Sequence, residues 1–401
     1  MRFPAWRRTF VVAVASLVMA VGAFGTGGSA SAAPIPEPAD DPFYQPPDGF
    51  ESEAPGSVLR SRSVTVTGLG IPIPVRSWQV LSRSTDTKGE PAAVVSTLMV
   101  PLIPYLGGGP RPLLSYQSAI DSLGDQCNPS YTMRTGTHAE LGLMALAIVQ
   151  GWAVVNTDFE GPRNAYGAGP MAGHAVLDGI RAVEQLPGTG LSGVTTPVGM
   201  WGYSGGGQAT TWAAELQPSY APELNVRGVA AGGVPADLAA ASRVMDGGPF
   251  SGLAIGAVAG ITREYPELLA LVNDAGHAML ERIADMCVNE LTVANPFRRL
   301  NEFTTVPDPL SDPLAVGVLE TNELGQATPT APIYIYHSVF DELIPFAGVQ
   351  ELRDTYCDSG GTVEFYADYL SEHVVLAITG APAAVAYLGA RFRGTPAPSN
   401  C

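Results

Sequence analysis

Short apolar runs alternating with helical stretches constrain this chain more than any other feature. Leu113-Leu-Ser-Tyr116, Ala153-Val-Val-Asn156, Val198 to Trp201, Val226 to Val234, Pro332-Ile-Tyr-Ile-Tyr336 and Val363 to Tyr366 read as strands. Between and after them, His174 to Leu186 places Val176, Ile180 and Val183 at helical spacing. Gln208 to Leu216, Phe346 to Tyr356 and Val374 to Phe392 read as helices too. Buried strands that alternate with helices predict an α/β fold, a mostly parallel central sheet with helices on both faces. Upstream, Val64-Thr-Val-Thr67 and Val94 to Val100 also carry strand patterns. The rhythm breaks from about Pro235 to Asp308, a mainly helical stretch in which Glu267 to Leu291 forms one long amphipathic pattern. Such an insertion reads as a cap, and caps sit over active sites. The expected organisation is a core over 56–234, a helical cap or lid over 235–308, and the rest of the core over 309–401.

The N-terminus has a different character. Arg2, Arg7 and Arg8 precede an apolar run from Thr9 to Phe24, and Ala30-Ser31-Ala32 offers the small-residue pattern that signal peptidase accepts. The run is shorter than the roughly 20 residues a membrane-spanning helix needs, so residues 1–32 read as a cleaved signal peptide. The protein is expected to be secreted. Residues 33–55, rich in proline and acid, read as a flexible arm. No later segment is long and apolar enough to span a membrane.

Composition removes several classes of function. Hydrophobic residues make up 46% of the 401 and charged residues 15%, which excludes a disordered chain. With 21 basic and 38 acidic side chains, the formal charge is −17. That sign disfavours nucleic acid and anionic membrane surfaces as partners. Cys127, Cys287, Cys357 and Cys401 are even in number, and in an exported chain they predict two disulfides. Three pairings are open. No C-x-x-C occurs and no histidine lies within four residues of a cysteine, so a metal site is not expected.

The chemistry gathers at turns after strands. Gly202-Tyr203-Ser204-Gly205-Gly206-Gly207 fits G-x-S-x-G between a strand and a helix. A serine nucleophile on such a turn adopts strained dihedrals, and glycine neighbours let the turn close. The following helix points its partly positive N-terminus at a developing oxyanion. A phosphate loop would need a lysine after the glycines, and none follows.

A serine nucleophile needs a base, and the base needs an orienting acid. Of five histidines, His138 and His174 precede Ser204, whereas His277, His337 and His373 follow it. His277 lies in the cap, His337 ends a strand, and His373 follows the last strand, where the base belongs in this fold class. Asp341, after the Pro332–Tyr336 strand, is the preferred acid, with adjacent Glu342 and outlying Asp368 still open. The N–H of Gly205 is the expected first oxyanion donor, and the loop after Leu113–Tyr116 the expected source of the second.

At these residues the chain resembles the secretory lipase family, α/β-hydrolases of fungi and actinobacteria. The matching stretches are Ser115-Tyr-Gln-Ser-Ala-Ile-Asp121, Thr157-Asp-Phe-Glu-Gly161, Leu177-Asp-Gly-Ile-Arg-Ala182 and Gly202-Tyr-Ser-Gly-Gly206. Tyr220-Ala-Pro-Glu-Leu-Asn225, Gly247-Gly-Pro-Phe-Ser-Gly252, His337 to Pro345, and Glu372-His373 continue the series. The resemblance implies an α/β-hydrolase fold with Ser204 as nucleophile, Asp341 as acid, His373 as base, and Asp121 with Gly205 as oxyanion donors. It also implies disulfides Cys127–Cys287 and Cys357–Cys401. Asp158 and Glu160 lie outside that triad and are assigned to loop structure.

The uncharged run Gly247 to Thr262 is compatible with an acyl tunnel or with ordinary cap packing. The resemblance favours acylglycerols as substrates, hydrolysed through an acyl-enzyme without metal or organic cofactor, by a monomer. A short-chain carboxylesterase and an acyltransferase share the same triad. A non-catalytic lipid-binding protein is the alternative from a different class.

Overall fold

The computed structural model describes residues 34–401; the signal peptide assigned to residues 1–32 lies outside them. The chain opens with strand β1 (Val58–Val64), a two-stranded ribbon β2 (Thr67–Gly68) and β3 (Ile71–Pro72), and long strands β4 (Val75–Thr85) and β5 (Pro91–Pro101). Then come β6 (Leu113–Gln117), helices α1 (Pro129–Thr135) and α2 (Leu141–Ile148), β7 (Ala153–Thr157), α3 (Gly169–Glu184), β8 (Val198–Tyr203), α4 (Gly205–Tyr220) and β9 (Val226–Gly232). A helical block follows: α5 (Leu238–Met245), α6 (Ser251–Glu264), α7 (Asp274–Ile283), α8 (Val288–Ala294) and α9 (Pro313–Thr321). The core resumes with β10 (Ile333–Ser338), α10 (Phe346–Asp358), β11 (Val363–Asp368), α11 (His373–Thr379) and α12 (Ala381–Phe392).

Nine strands form one sheet in the order β1-β4-β5-β7-β6-β8-β9-β10-β11. The four strands from β1 to β7 pair antiparallel, and every pairing from β7 to β11 is parallel. Parallel strands are buried on both faces, and each face has its own core. On one, Val176, Ile180, Trp212, Ala213, Val349 and Leu352 of α3, α4 and α10 cover Leu98, Val155, Met200 and Ile335. On the other, Met144, Leu376 and Leu388 of α2, α11 and α12 pack with Val154, Trp201 and Tyr336. Each such large apolar side chain contributes roughly 1.5–3 kcal/mol when fully buried. Register then aligns the strand ends. Gln117 of β6 pairs with Gly202 of β8, and Ser338 of β10 with Asp368 of β11, so the loops after these strands emerge along one edge. Sites in open α/β sheets form outside that carboxyl edge.

Four sequence expectations are corrected. Residues 33–55, read as a flexible arm, are instead packed from Pro36 onward as part of the same compact unit as the rest of the chain to Cys401. Prolines open single 3₁₀ turns at Pro38–Asp40 and Pro42–Tyr44. Phe43 is buried against Leu81 and Val95, and Asp41 pairs with Arg62 at 2.7 Å and Arg134 at 3.4 Å. One buried aromatic and one paired carboxylate outweigh the polar composition that suggested mobility. The long pattern Glu267 to Leu291 is broken, because Asn273 caps a fresh helix through Gly276 N–H and Cys287 starts another. The C-terminal helix breaks at Gly380, with Pro382 in the first turn of α12. The helical insertion between β9 and β10 also runs on through α9, where Asp312 caps a proline-led start, beyond the 308 expected.

The insertion packs on two loops of the core edge. Leu123 joins Ile255, Ile283, Leu291 and Phe303, while Leu343 and Ile344 join Ala241, Met245 and Ala254. Cys127–Cys287 bonds the first of these loops to α8, with Cα atoms 5.5 Å apart. Cys357–Cys401 holds the C-terminus to α10. Among the described residues no single helix is long and apolar enough to cross a membrane.

Candidate active site

Ser204 stands between β8 and α4 with φ 56° and ψ −126°. A non-glycine residue with positive φ costs on the order of 1–3 kcal/mol and persists where its surroundings over-determine it. Here Ser204 N–H donates to Gly232 at 2.9 Å, and the Ser204 carbonyl accepts Gln208 N–H at 2.9 Å. The close approach needs glycine at 202, where a Cβ would fall 2.1 Å from the Gly206 carbonyl. The strained turn leaves the hydroxyl at the sheet edge, half-buried.

His373, first residue of α11, brings Nε2 within 2.9 Å of Ser204 Oγ, and its Nδ1 lies 2.6 Å from Asp341 Oδ2. A proton on Nδ1 facing the carboxylate leaves Nε2 to accept from the serine. Three neighbours fix the imidazole. Glu372 caps α11 through Val374 and Val375 N–H, Glu342 accepts His373 N–H at 3.1 Å, and Tyr203 donates its hydroxyl to the His373 carbonyl at 2.6 Å.

The three carboxylates left open by spacing therefore have different partners. Asp341 alone reaches the ring. Glu342 binds the backbone of His373, and Asp368 accepts Leu370 and Ser371 N–H at 2.6 and 2.7 Å, shaping the turn before it. Burial by itself would raise the Asp341 carboxyl, yet the hydrogen bond from His373 and the electrostatic pull of the two neighbouring histidines hold it below the ordinary range. Its other oxygen accepts Leu343 and Ile344 N–H at 3.0 and 2.7 Å. His337, near the end of β10, is fully buried with Nε2 3.1 Å from the Ile344 carbonyl and 3.4 Å from Asp341. Burial lowers its pKa. His277 is exposed on α7.

The first N–H groups of a helix lack intrahelical acceptors, and Gly205 opens α4. Asp121, with φ 46°, places its carboxyl over Gly205. Desolvation pushes this carboxyl up to about 6, against the pull of His373. Asp158 accepts the N–H and hydroxyl of Ser130 at 2.9 and 2.5 Å and so holds α1, a loop-and-helix role. Glu160, raised strongly by burial, lies against the N–H groups of Asp121 and Ser122. Sequence reasoning gave no role to Tyr203 or Glu140. Tyr203 is the variable position of G-x-S-x-G, and Glu140 is one acid among many, so no local pattern marks either.

The uncharged run Gly247 to Thr262 becomes α6 and its entry. Ile255 and Val258 pack inside the insertion, Phe250 and Leu253 against Leu343 and Ile344, and Ile261 against Tyr265 and Val318. Packing within and beneath the insertion accounts for these side chains.

This fold, with a serine on a strand-to-helix turn facing a histidine and an aspartate, defines a lipase or esterase of the α/β-hydrolase class. The secretory lipase family model matches residues 128–400, and the chain belongs to that family. It is 40% identical over 375 residues to "Probable inactive lipase MT1628" of Mycobacterium tuberculosis, covering 90% of this chain and 83% of that one. It is 35% identical to Lipase 5 of Candida albicans, covering 91% and 83%. The solved structure of Candida antarctica lipase A superposes with a TM-score of 0.84 at 30% identity, covering 90% of this chain and 88% of that one.

Proposed function

We propose that the protein is a secreted triacylglycerol lipase working through an acyl-enzyme. One observation carries the reading: Ser204 Oγ, His373 and Asp341 form a continuous hydrogen-bonded line of 2.9 and 2.6 Å. Ser204 Oγ attacks the ester carbonyl while His373 Nε2 takes its proton, and Asp341 stabilises the imidazolium. The carbonyl oxygen becomes an oxyanion that receives Gly205 N–H and the neutral Asp121 carboxyl. Collapse breaks the bond to the glycerol oxygen, which leaves with the proton from His373. Water then attacks the acyl-serine, giving its proton to His373, and the fatty acid departs as Ser204 is reprotonated.

Support for a lipid substrate comes from the surface beside the triad. Phe340, Leu370, Val374 and Ile378, chain neighbours of Asp341 and His373, are 62%, 92%, 60% and 65% exposed. Exposed apolar groups around a site favour a lipid surface over a soluble ester. In this reading the helical insertion serves as the lid, since it packs on the loops of Asp341 and Asp121. Export accords with the family and with the two disulfides.

A second reading, a lipase fold without turnover, is favoured by the name of the Mycobacterium relative, a probable inactive lipase. Hydrolysis of p-nitrophenyl butyrate, p-nitrophenyl palmitate and emulsified triolein, beside Ser204→Ala, tests both. Turnover of palmitate and triolein that disappears in the variant supports the lipase. Butyrate alone makes it a carboxylesterase, acyl transfer to added glycerol or methanol an acyltransferase, and inert wild type the non-catalytic protein.

A further inference from the structure

The turn that carries Asp121 is gripped from the connection between α1 and α2, residues 136–140. Glu140 Oε1 accepts the N–H of Ala119 at 2.9 Å, and its other oxygen accepts the Tyr116 hydroxyl. The carboxyl thus binds a backbone donor of the turn and the last-but-one residue of β6 together.

Next to it, Ser118 Oγ accepts from Asn156 Nδ2 at 2.6 Å, so its own hydrogen is free for His138 Nε2 at 3.0 Å. A histidine accepting at Nε2 carries its proton on Nδ1. That nitrogen lies 2.9 Å from Thr132 Oγ1, and Thr132 donates onward to the Asn128 carbonyl at 3.1 Å. Every donor in the chain has one acceptor. Burial pushes the His138 imidazole down to about 4, so the ring stays neutral and the direction of the chain is kept.

The turn needs such a grip. Asp121 sits at φ 46°, and the carbonyl of Gln117 crowds Gly206, where a Cβ would fall 2.0 Å away. A strained residue holds its place only while its neighbours are held.

We propose that His138 and Glu140 are positioning residues that hold the 117–121 turn so that Asp121 stays over Gly205. The inference rests on the reading of Asp121 and Gly205 as the oxyanion site. Misplacing such a donor by about 1 Å costs on the order of a hundredfold in rate. If these groups merely satisfied buried polar atoms, their loss would lower stability and leave turnover untouched.

The test uses Glu140→Ala, Ser118→Ala and Glu140→Gln in the mature protein. In the two alanine variants kcat for p-nitrophenyl butyrate should fall tenfold or more, with KM changed less than about twofold. Glu140→Gln keeps an oxygen for Ala119 N–H and should stay within about threefold of wild type. Imidazole 15N shifts should show His138 protonated on Nδ1. Unchanged kcat in both alanine variants, a rise in KM that accounts for the loss, or an Nε2-protonated His138 overturns the proposal. Should Glu140→Ala not fold, Ser118→Ala, which removes one hydroxyl, decides. A wild type inert to all esters would defeat the enzymatic reading separately. The grip is then judged by the amide resonances of Asp121 and Gly205, which shift in Glu140→Ala if it exists and stay put if it does not.

Discussion

The carboxyl of Asp121 lies so close over Gly205 that a Cβ at position 205 would fall 1.9 Å from its Oδ1. The loop after β6 and the first turn of α4 thus close on each other with room for glycine alone. Gly205→Ala should displace the Asp121 side chain and lower kcat by about 10²–10³-fold. Thermal stability should hardly change, because alanine favours a helix by about 1 kcal/mol over glycine and the clash is with a side-chain tip. Gly206→Ala meets the Gln117 backbone at 2.0 Å and should lower the melting temperature as well. Equal activity of Gly205→Ala and wild type would contradict the close approach.

The same carboxyl gives a pH signature. Asp121 is raised to about 6 by desolvation, so below that pH it is neutral and can donate to an oxyanion. As pH rises through about 6 it ionises and repels the developing negative charge. A carboxyl raised on folding also makes the native state bind protons more tightly than the unfolded chain. Its stabilising effect is therefore lost between the unfolded value near 4 and the folded value near 6. A fall in kcat/KM above about pH 6 should be present in wild type and absent from Asp121→Asn. Parallel profiles for the two proteins would reject the assignment.

Asp341 and Glu342 are neighbours with different duties, and kinetics separates them. Asp341→Asn removes the carboxylate that fixes the His373 tautomer and should cost about 10⁴-fold in kcat. Glu342→Gln keeps an acceptor for His373 N–H and should remain within about tenfold. The reverse order, measured on p-nitrophenyl butyrate, would move the acid role to Glu342.

The disulfides should differ in what they protect. Cys127–Cys287 spans 160 residues, and removing it by paired serine substitutions should cost about 5 kcal/mol on a chain-entropy basis. Cys357–Cys401 spans 44 residues and should cost about 4 kcal/mol. Only the first joins the helical insertion to the loop beside Asp121, so its loss should also reduce activity at temperatures where the fold survives. Denaturant titrations paired with rates at 25 °C measure both effects.

What was legible in the sequence follows from short-range physics. The G-x-S-x-G turn is recognised because a strained serine and close backbone approach demand glycines within a few residues. The strands and helices of the core are legible because burial on two faces or one stripe writes a period into neighbouring residues. The same local reading fails at residues 33–55, where one buried Phe43 and the Asp41 pairs with Arg62 and Arg134 overrule composition. It also misses α1 and α2, the two short helices that flank His138 and Glu140.

Tertiary structure decided the matters that join distant residues. Spacing alone admits Asp341, Glu342 and Asp368 as acids. In the folded protein only Asp341 reaches the ring of His373, while Glu342 takes its backbone N–H and Asp368 shapes the turn before it. The grip on the Asp121 turn links Ser118 and Ala119 to His138 and Glu140 on one segment and to Asn156 on another, a relation without any sequence period. Periodicity and turn chemistry are local properties of a chain, and sequence determined them here. Which carboxylate meets which imidazole depends on how the sheet and its loops pack, and only the folded protein contains that information.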